Sequence, residues 1–537
     1  MENLIVHVVT YNVATTFPTA GLNLSSLLDL ENNASQNRPD IYVIGCQEVK
    51  SQPQNMLYDS LFDDPWSALF KQTLAPLGYV KLRTVRVQGI VLSVLVRRRH
   101  LVAVRHTEEQ IVRLGLGGMW GNKGAVALRL SIMGVNLCLV NAHLTAHDHL
   151  LSDRVRNYGD ILEQANFQDP ATSKLLYHDY LIWLGDLNFR LAAGPDDAAV
   201  RQMAYEHDLT PLLALDQLRA AQTSGEAFSE LSEPTLTFKP TYKLVPRRRG
   251  EYAHSRRPAW TDRILYKVNE DVYEGARLSA DPLSYQSHPE YTGSDHCPVS
   301  ASFSVKVFSG QTPPCVEFLP ISMWLIGADC VAKYRVDPAL ETSSWDWIAL
   351  FRADFAGLDE YISYIWVPRS SSSPNSDHFV AVFPEDSITV PGNYVLAYCG
   401  RNGGGVYGVS APFPVRYGHT ARLAALALDG APAAELERRP LLARAAPEQA
   451  REALELEQEQ QEQEREQQER EPLLEGRPVL DGNPGPARAA AGGGAADSEG
   501  ETDGVPRRRI PGPAAAAAPE PPPEDWETVE RPSSKEE

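Results

Sequence analysis

Five short polar motifs beside apolar runs carry the residue types that could do chemistry in this chain. They are Thr10-Tyr11-Asn12, Gln47-Glu48, Asn141-Ala142-His143, Gly185-Asp186-Leu187-Asn188 and Ser294-Asp295-His296. The first four follow strand-like segments, and such strands can deliver polar side chains to one common edge of a sheet. Carboxylates, amides and imidazoles that converge there supply oxygen ligands for a divalent cation, a base for water and donors for phosphoryl charge. The motifs therefore predict metal-assisted hydrolysis of a phosphate ester.

Glu48 and Asp186 are the carboxylates with the most definite expected roles. Glu48 ends a strand and is a natural ligand for Mg²⁺, which keeps several waters and needs few protein oxygens. The alternative is a solvated charge where the strand stops. Asp186 follows the apolar run Leu181–Leu184, where burial would raise the pKa of an unpaired carboxyl toward that of a useful base. Asn188 is placed to orient water or phosphate, and the alternative for this segment is an Asx turn.

Two histidines, His143 and His296, lie at predicted strand edges near these carboxylates. A lone histidine is more often a structural residue than a catalytic one, but as an imidazolium either would donate to a phosphoryl oxygen. A carboxylate on the other ring nitrogen would hold the charged state, and Asp262 is the candidate partner of His296.

Basic residues cluster in two segments between residues 239 and 257. Lys239, Tyr242 and Lys243 flank a proline in Lys-Pro-Thr-Tyr-Lys, which suggests a formed phosphate site because lysine binds phosphate as a compact charge. Arg256 stands in the second segment and offers a bidentate donor. The run Arg247–Arg249 is interpreted as a solvated loop.

A glycine-rich segment, residues 114–124, has apolar tips and contains a lysine. Leu116, Met119 and Trp120 would insert into a bilayer interface while Lys123 meets phosphate. The other interpretation is a tight hairpin capped by packed aromatic residues, and the sequence does not decide between the two. The G-x-x-x-x-G-K-[ST] order of a P-loop is absent.

Composition and charge narrow the class of protein. The chain has 537 residues and a formal net charge of −20, and residues 421–537 carry −12 of it through 26 acidic and 14 basic side chains. A nucleic-acid-binding protein would show a basic domain, so no nucleic-acid partner is expected. There is no C-x-x-C pair, no basic segment typical of a signal peptide, and no apolar run approaching the roughly 20 residues of a membrane span. These patterns predict a cytoplasmic protein with peripheral membrane contact.

Three regions with different patterns follow one another. Residues 1–308 alternate strand-like and helix-like segments, which predicts an α/β domain with mixed sheets. Residues 315–417 show short β-like runs between turn signals, typical of a β-sandwich. Residues 418–537 are acidic, rich in Gln and Glu and then in Pro and Ala, and are predicted to be disordered because they bury too little apolar area. Helices are predicted over Met56–Leu74, Asp148–Asn166, Ala198–Glu206 and Pro211–Ala221.

The first region resembles the inositol polyphosphate 5-phosphatases over about residues 3–308. The resemblance rests on Trp183–Arg190, Phe238–Lys243, Pro258–Leu265 and Ser294–Val299. The first and last of these are shared with the wider endonuclease/exonuclease/phosphatase superfamily, whereas the two middle elements are more specific to the 5-phosphatases. The β-rich region resembles a SKICH domain, an immunoglobulin-like module.

The resemblance implies a two-sheet sandwich flanked by helices, followed by the SKICH-like domain. It implies Mg²⁺-dependent removal of the 5-phosphate from inositol lipids such as phosphatidylinositol 4,5-bisphosphate and 3,4,5-trisphosphate. Asn12 and Glu48 would hold the metal ion, and Asp186 would act as the base. The other catalytic positions that it implies are Asn188, His143, His296, Asp262 and Asp295.

For the substrate, the resemblance implies a grip on the 4-phosphate by a tyrosine, a lysine and a basic residue downstream. Relatives often carry lysine where this chain has His254, so the downstream role is assigned to Arg256. Residues 114–123 match a family element that touches lipid chains. The implied substrate contacts are Lys239, Tyr242, Lys243, Arg256, Asn122 and Lys123.

Two other functions stay open at this point. One is the same chemistry on another phosphodiester, as in a nuclease or sphingomyelinase, and the acidic balance disfavours it. The other is a phosphoinositide-binding scaffold with a weak site, which the intact catalytic positions disfavour. The SKICH-like region is expected to bind membranes or protein partners, and Pro519–Pro523 to bind SH3-like domains. Recruitment to the plasma membrane or endoplasmic reticulum is expected.

Overall fold

The computed structural model describes residues 1–31, 38–50, 64–114, 123–310, 315–367, 378–401 and 404–418. The predicted membrane contacts Leu116, Met119 and Trp120, the predicted substrate contact Asn122, and the tail predicted to be disordered lie outside the described residues. Within the described ranges, no helix is long and apolar enough to cross a membrane.

The region up to residue 310 consists mainly of strands. Its strands are β1 (Glu2–Asn12), β2 (Ile41–Gln47), β3 (Tyr79–Val87), β4 (Ile90–Arg97), β5 (Val104–Leu114), β6 (Lys123–Ile132), β7 (Val135–His143), β8 (Tyr180–Asp186), β9 (Asp262–Val268), β10 (Ala280–Ser287) and β11 (Val299–Val307). Its α-helices are α1 (Pro65–Leu74), α2 (Leu151–Gln164), α3 (Asp197–Glu206), α4 (Leu209–Leu213) and α5 (Gln217–Ser224). Short 3₁₀ turns lie at Ala75–Leu77, Arg98–Ala103, Pro170–Thr172 and Leu175–Tyr177.

Two sheets pack face to face in this region. The first has the order β10-β11-β1-β2-β4-β3, and the second contains β5-β6-β7-β8-β9. Most neighbouring strands are antiparallel, but β1 with β2 and β7 with β8 are parallel. The ends of these parallel pairs bring the polar motifs to one edge of the sandwich.

The central strands are apolar throughout because alternate residues enter two different cores. In β8, Ile182 and Leu184 pack between the sheets, whereas Leu181 and Trp183 pack with residues of α2 and α5. β1 follows the same rule, with its outward-facing residues packed with side chains of α1. A mixed α/β sandwich, the class predicted from the sequence, is therefore confirmed for this region.

Two predicted helices differ from the observed ones. The helix predicted over Pro211–Ala221 is two helices, because the buried Asp216 accepts the N–H of Arg219 and caps a new helix, α5. In the described part, the helix predicted over Met56–Leu74 is α1, and Asp64 caps it by accepting two backbone N–H groups. Strands β3, β5 and β10 were not predicted: β3 carries three basic residues among its apolar ones, and most residues of β5 and β10 are exposed or partly exposed.

The C-terminal region is a β-domain, as predicted. Its strands are β12 (Val316–Phe318), β13 (Trp324–Ile326), β14 (Cys330–Val336), β15 (Trp347–Arg352), β16 (Ser363–Trp366), β17 (Phe379–Phe383), β18 (Gly392–Gly400), β19 (Gly405–Val409) and β20 (Phe413–Tyr417). Strands β12, β14 and β17 form a separate sheet, and the others join the second sheet of the first region.

The two regions meet at the end of the sandwich away from the polar motifs. Strand β19 pairs with the start of β5, where Gly405 lies opposite Arg105, while the far end of β5 pairs Leu114 with Lys123. The Arg105 guanidinium donates to the Val406 carbonyl at 2.6 Å. Side chains of the C-terminal region that belong to the core between the sheets include Phe351, Phe355, Val395, Ala397 and Val406. The two regions therefore share one apolar core.

Candidate active site

Adjacent strands of the second sheet place three of the predicted site residues in one row. In the strand register His143 lies opposite Asp186, and Asp186 lies opposite Asp262. All three continue the inward-facing set of their strands at the mouth of the core between the sheets. Gly185 precedes Asp186 with φ +144°, and a Cβ there would lie 1.9 Å from the Ala142 carbonyl oxygen. Only glycine allows β8 to approach β7 this closely.

Asp186 is the centre of a fully buried group of polar side chains. Its Oδ2 accepts the Nδ2–H of Asn12 at 2.9 Å and lies 3.2 Å from Nε2 of His143, while its Oδ1 accepts the Asn188 N–H at 3.1 Å. Burial acts to raise the pKa of Asp186, but His143 and His296 outweigh it and hold that pKa below its usual range. The expected rise in the pKa is wrong because Asp186 is not unpaired.

His296 and Asp262 form a buried pair, as the sequence predicted. Nδ1 of His296 lies 3.0 Å from Oδ2 of Asp262, which also accepts the hydroxyl groups of Thr241 and Thr261. Burial acts to lower the pKa of His296, but Asp262 and Asp186 outweigh it and raise that pKa to about 9. His296 is therefore an imidazolium at neutral pH, and its Nε2 faces Asp186 at 3.9 Å.

The pKa of His143 is shifted in the opposite direction to that of His296. Its Nε2 contacts the ammonium of Lys123 as well as Asp186. Burial, followed by the charge of Lys123, lowers the pKa of His143. Burial also lowers the pKa of Lys123, so neither the imidazole of His143 nor the amine of Lys123 is well solvated there. Of the two histidines, only His296 is held in the charged form proposed from the sequence.

Glu48 and Asn12 are the residues that fit a divalent cation. The Glu48 carboxylate is one-third exposed and lies 3.9 Å from Nε2 of His143. The Glu48 backbone itself is in the left-handed region, with φ +54°. Asn12 is completely buried; its Nδ2–H donates to Asp186, and its Oδ1 accepts the Ala14 N–H at 3.0 Å and keeps a second lone pair. One carboxylate and one amide oxygen are the hard donors that Mg²⁺ accepts.

A second cluster in the described residues has metal-like spacing. Ligand atoms of Asp186, Asp262 and His296 all lie within 4.8 Å of one another. Nδ1 of His296, however, already bonds Asp262, and Asp262 and Asp186 raise the pKa of His296. These three side chains could therefore serve proton transfer and phosphate binding as well as a metal ion.

Asn188 and Arg190 form an interlocked pair beside Asp186. Asn188 adopts a left-handed backbone with φ +57°, and its Nδ2–H donates to the Leu144 carbonyl at 3.1 Å. Its Oδ1 accepts from Nη2 of Arg190, a buried guanidinium that also lies 4.5 Å from the ring of Tyr242. Arg190 was not singled out from the sequence, although it stands in the same motif as Asp186.

Tyr242, Lys243, Arg256 and Asp295 form a half-exposed set that we call the basic rim. The ring of Tyr242 lies 4.6 Å from that of His296, so the rim adjoins the buried group. Lys243 bonds Asp295 at 2.8 Å, and this bond raises the pKa of Lys243. Arg256 is exposed and close enough to influence that pKa.

Lys239 is not brought to the basic rim by any contact between described residues. Its ammonium donates to the backbone carbonyl of Tyr205, in the last turn of α3, at 2.8 Å. Lysine is favourable there because the carbonyl groups that end a helix lack intrahelical donors. The structure thus gives Lys239 a packing contact with α3, and its predicted substrate contact stays a prediction.

Two buried amides beneath the site join the sheets, and no role was predicted for them. Gln47 of β2 donates to Oδ1 of Asn141 in β7 at 2.6 Å. Asn141 donates in turn to the carbonyl groups of Cys46 and Val91 at 3.1 and 2.7 Å. Gln47 directly precedes Glu48 and Asn141 stands two residues before His143, which is the signal that could have identified them. They hold Glu48 and His143 at a fixed separation.

Comparisons with known proteins agree with this geometry. Residues 9–302 match the family described as endonuclease/exonuclease/phosphatase family 2, and residues 316–415 match the SKICH domain. Inositol polyphosphate 5-phosphatase K of Mus musculus is 34% identical over 432 residues, covering 77% of this chain and 90% of that protein. The chain belongs to the SKICH-containing inositol polyphosphate 5-phosphatases. This membership confirms the resemblance inferred from the motifs.

Two further similarities complete the comparison. Phosphatidylinositol 4,5-bisphosphate 5-phosphatase A of Mus musculus is 36% identical over 418 residues, covering 76% of this chain. The chain spans 41% of the length of that relative. The second is a solved structure of the inositol polyphosphate 5-phosphatase domain of SPsynaptojanin in complex with inositol (1,4)-bisphosphate and calcium ion. It is 31% identical to this chain and has a TM-score of 0.49. The match covers 57% of this chain and 86% of that one.

Proposed function

We propose that this protein is a Mg²⁺-dependent phosphatase that removes the 5-phosphate from phosphoinositides such as phosphatidylinositol 4,5-bisphosphate and 3,4,5-trisphosphate. The observation that carries the proposal is the buried group of Asn12, His143, Asp186, Asp262 and His296, which we call the buried cluster. It holds a permanent carboxylate beside an imidazolium, the arrangement needed to activate water against a phosphate. Family membership and the name of the mouse relative support the same activity.

The buried cluster acts on water and on the phosphoryl group through separate residues. Asp186 accepts a hydrogen bond from the attacking water and receives its proton as the new P–O bond forms. The bond to the 5-oxygen breaks at the same time, and the leaving oxygen takes a proton from solvent to become the inositol hydroxyl. His296 donates from Nε2 to a phosphoryl oxygen, because Asp262 holds its Nδ1–H and its positive charge. Charge that develops on the phosphate is thus met by groups that are already oriented, which is where most of the rate enhancement arises.

Glu48 and Asn12 would hold the Mg²⁺ ion. A bound Mg²⁺ would neutralise phosphoryl charge and polarise the bond that breaks. Glu48 is the accessible donor of the pair, being one-third exposed beside the buried cluster. Its left-handed backbone costs free energy that an ordinary strand end would avoid, and such local strain is common at functional residues.

The basic rim would grip the 4-phosphate. Tyr242 offers a phenol beside His296, Lys243 an ammonium near the Tyr242 ring, and Arg256 a guanidinium close to Lys243. In the described structure Asp295 holds Lys243, so the substrate phosphate would share or replace that carboxylate. The rim thus selects substrates that carry two neighbouring phosphates, which a nuclease or sphingomyelinase substrate does not present.

We also propose that residues 114–123 carry the enzyme onto its lipid substrate. Lys123 closes this segment and contacts His143, so the segment ends at the site. Leu116, Met119 and Trp120 would enter the bilayer while Asn122 and Lys123 stay at the phosphate level. Replacing Trp120 by Ser should lower turnover of liposomal substrate and leave soluble inositol phosphate turnover unchanged. Equal losses on both substrates would contradict insertion.

Partner binding is proposed for the regions outside the catalytic sandwich. The SKICH-like domain, residues 315–417, would bind a protein that recruits the enzyme from the cytoplasm to the plasma membrane or endoplasmic reticulum. Pro519–Pro523 would bind SH3-like domains. Since Phe351, Phe355 and Val406 belong to the core shared with the first region, deletion of the domain would also expose catalytic-domain core. Localisation is therefore best tested with surface variants of the full chain.

The decisive experiment is phosphate release from liposomes that contain phosphatidylinositol 4,5-bisphosphate, with and without Mg²⁺, with the isomer of the product identified. We expect Mg²⁺-dependent formation of the 4-monophosphate and its loss in Asp186→Ala. The matched control is Asp271→Ala, which removes a carboxylate that is 82% exposed and should keep full activity. Release of the 4-phosphate, or no release from folded protein with Mg²⁺ on lipid and soluble substrates alike, would contradict the proposal.

A further inference from the structure

Arg190 is a buried arginine that contacts both halves of the site. It is 5% exposed, stands two residues after Asn188 and lies 4.5 Å from the ring of Tyr242. Its backbone N–H donates to Oε1 of Gln217 at 3.0 Å, and its Nε lies 3.9 Å from Oδ1 of Asp148. The side chain is therefore held from several directions before any substrate binds.

Two contacts, one with Arg190 and one with the Leu144 carbonyl, decide which way the Asn188 amide points. A guanidinium only donates, so the atom of Asn188 that meets Nη2 must be the oxygen. Nε of Arg190 donates as well, to the backbone carbonyl of Asn188 at 3.1 Å. Two donors from one planar group thus fix both the backbone and the side chain of Asn188.

This orientation directs the NH₂ group of the Asn188 amide, and not its oxygen, toward a ligand in the site. One Nδ2–H is used by the Leu144 carbonyl, and an amide NH₂ group has two hydrogens. The second hydrogen is available to a phosphoryl oxygen or to a lone pair of the attacking water. Asp186, whose Oδ1 accepts the Asn188 N–H, remains the acceptor for the proton of that water. The two residues therefore have complementary roles that depend on the amide not being reversed.

The contact between Arg190 and Tyr242 extends the same effect to the basic rim. A guanidinium over an aromatic ring within about 6 Å is attracted by the ring and restrains its position. Tyr242 also lies beside His296, so its place decides how the rim meets the buried cluster. Lysine cannot replace this arginine, because an ammonium lacks the planar fork that reaches Asn188 while covering the ring.

We propose that Arg190 is a positioning residue that locks Asn188 as a hydrogen-bond donor and braces Tyr242. The proposal rests on the proposed phosphatase function for its kinetic consequences, but the orientation of the Asn188 amide can be measured without turnover. It assigns Arg190 an effect on rate through Asn188 and an effect on substrate affinity through Tyr242. Neither effect requires Arg190 to touch the substrate.

The kinetic test is a double-mutant cycle on the full chain with soluble inositol 1,4,5-trisphosphate. Arg190→Met should lower kcat by about 10²-fold, and Arg190→Lys should restore only part of it. In a background of Asn188→Ala, Arg190→Met should cost little further kcat, because its partner is gone. Multiplicative losses in the double variant, or full activity of Arg190→Lys, would overturn the proposal.

The matched control is Arg257→Met, which removes another arginine of the same region. Arg257 bonds Asp197 at 2.9 Å and the carbonyl groups of Ala192 and Pro195, outside the site. It should keep kcat even where its thermal stability falls. If Arg190→Met behaves like this control, with a lower Tm and an unchanged kcat per folded molecule, the role of Arg190 is structural and the proposal is wrong.

A second measurement separates this proposal from the proposed function. In protein labelled with ¹⁵N-asparagine, the Asn188 side-chain signal is assigned by its absence in Asn188→Asp. Arg190→Met should shift or broaden that signal and leave the distant Asn136 unchanged. An unshifted Asn188 signal would overturn the proposal. A shifted signal in a protein that releases no 5-phosphate would uphold the positioning contact and reject the phosphatase function.

Discussion

The buried cluster and the basic rim lie side by side but are held in different ways. Asp186, Asp262 and His296 are at most 5% exposed and bond one another or the ends of central strands. In the rim, Lys243 is one-third exposed and is tied to a single carboxylate, Asp295. The cluster is thus complete before substrate arrives, whereas the rim can exchange its internal ion pair for a phosphate. The difference predicts that cluster variants change kcat and rim variants change KM.

The largest effect is expected from Asp186→Asn. The change keeps the shape of the side chain but removes the carboxylate that faces both histidines. We expect kcat to fall by about 10³-fold or more, with KM changed little because the rim is intact. Phosphate release and thermal unfolding should be measured together. A loss of kcat smaller than tenfold in a folded variant would contradict the central catalytic role of Asp186.

Asp262→Asn should alter the pH dependence of the reaction. Asp262 and Asp186 raise the pKa of His296 to about 9, so the imidazolium is present below that pH and is lost as the pH rises through it. Without the Asp262 charge the pKa falls, and the alkaline limb of kcat should move to lower pH. At pH 8 the loss should be about 10²-fold, and it should be smaller at pH 6.

The measurement for Asp262→Asn is kcat from pH 5.5 to 10, with Asp271→Asn as the exposed control. The control should reproduce the profile of the unchanged protein. An alkaline limb that stays in place in Asp262→Asn would show that His296 does not need this partner to remain charged.

Much of the buried cluster can be predicted from the sequence because strand ends are visible in it. Asn12, His143 and Asp186 each terminate an apolar run, and the alternation within that run places each on the inward face. The fold class follows from the same runs. The charge states could not be predicted, because the pKa of Asp186 depends on His143 and His296 being brought close by the fold.

Features that depend on distant segments were missed. Strand β19 joins β5 across about 300 residues of chain, and no local pattern indicates that pairing. Arg190 contacts the ring of Tyr242, more than 50 residues away in the chain. Lys239 bonds a carbonyl group of α3, and the position of that helix cannot be predicted from the sequence. Motifs thus predict which residues form a site but not which side-chain contacts each residue makes in the fold.

Lys243→Met should affect the rim alone. Loss of one charge-assisted bond to phosphate should raise KM for inositol 1,4,5-trisphosphate by about tenfold and leave kcat within about twofold. KM for inositol 1,5-bisphosphate, which lacks the 4-phosphate, should not change. Initial rates over a range of both substrates measure this. A kcat loss as large as that of Asp262→Asn would mean that the rim and the cluster are one unit.

Lys239→Met is expected to have the smallest kinetic effect. Its ammonium bonds the Tyr205 carbonyl, so KM should change by less than about twofold while the free energy of unfolding falls by about 1 kcal/mol. Denaturant unfolding measures the free energy of unfolding, and initial rates measure KM. A tenfold rise in KM with unchanged stability would instead show that Lys239 contacts the substrate and that the basic rim includes residues beside α3.

The most direct test of the two-part site compares Asp262→Asn and Lys243→Met on inositol 1,4,5-trisphosphate and inositol 1,5-bisphosphate at pH 8. We predict that Asp262→Asn lowers kcat equally on both substrates with little change in KM. Lys243→Met should raise KM only for the substrate that carries the 4-phosphate. If Lys243→Met instead lowers kcat on both substrates, or Asp262→Asn discriminates between them, the division between a buried hydrolytic cluster and a selective rim is contradicted.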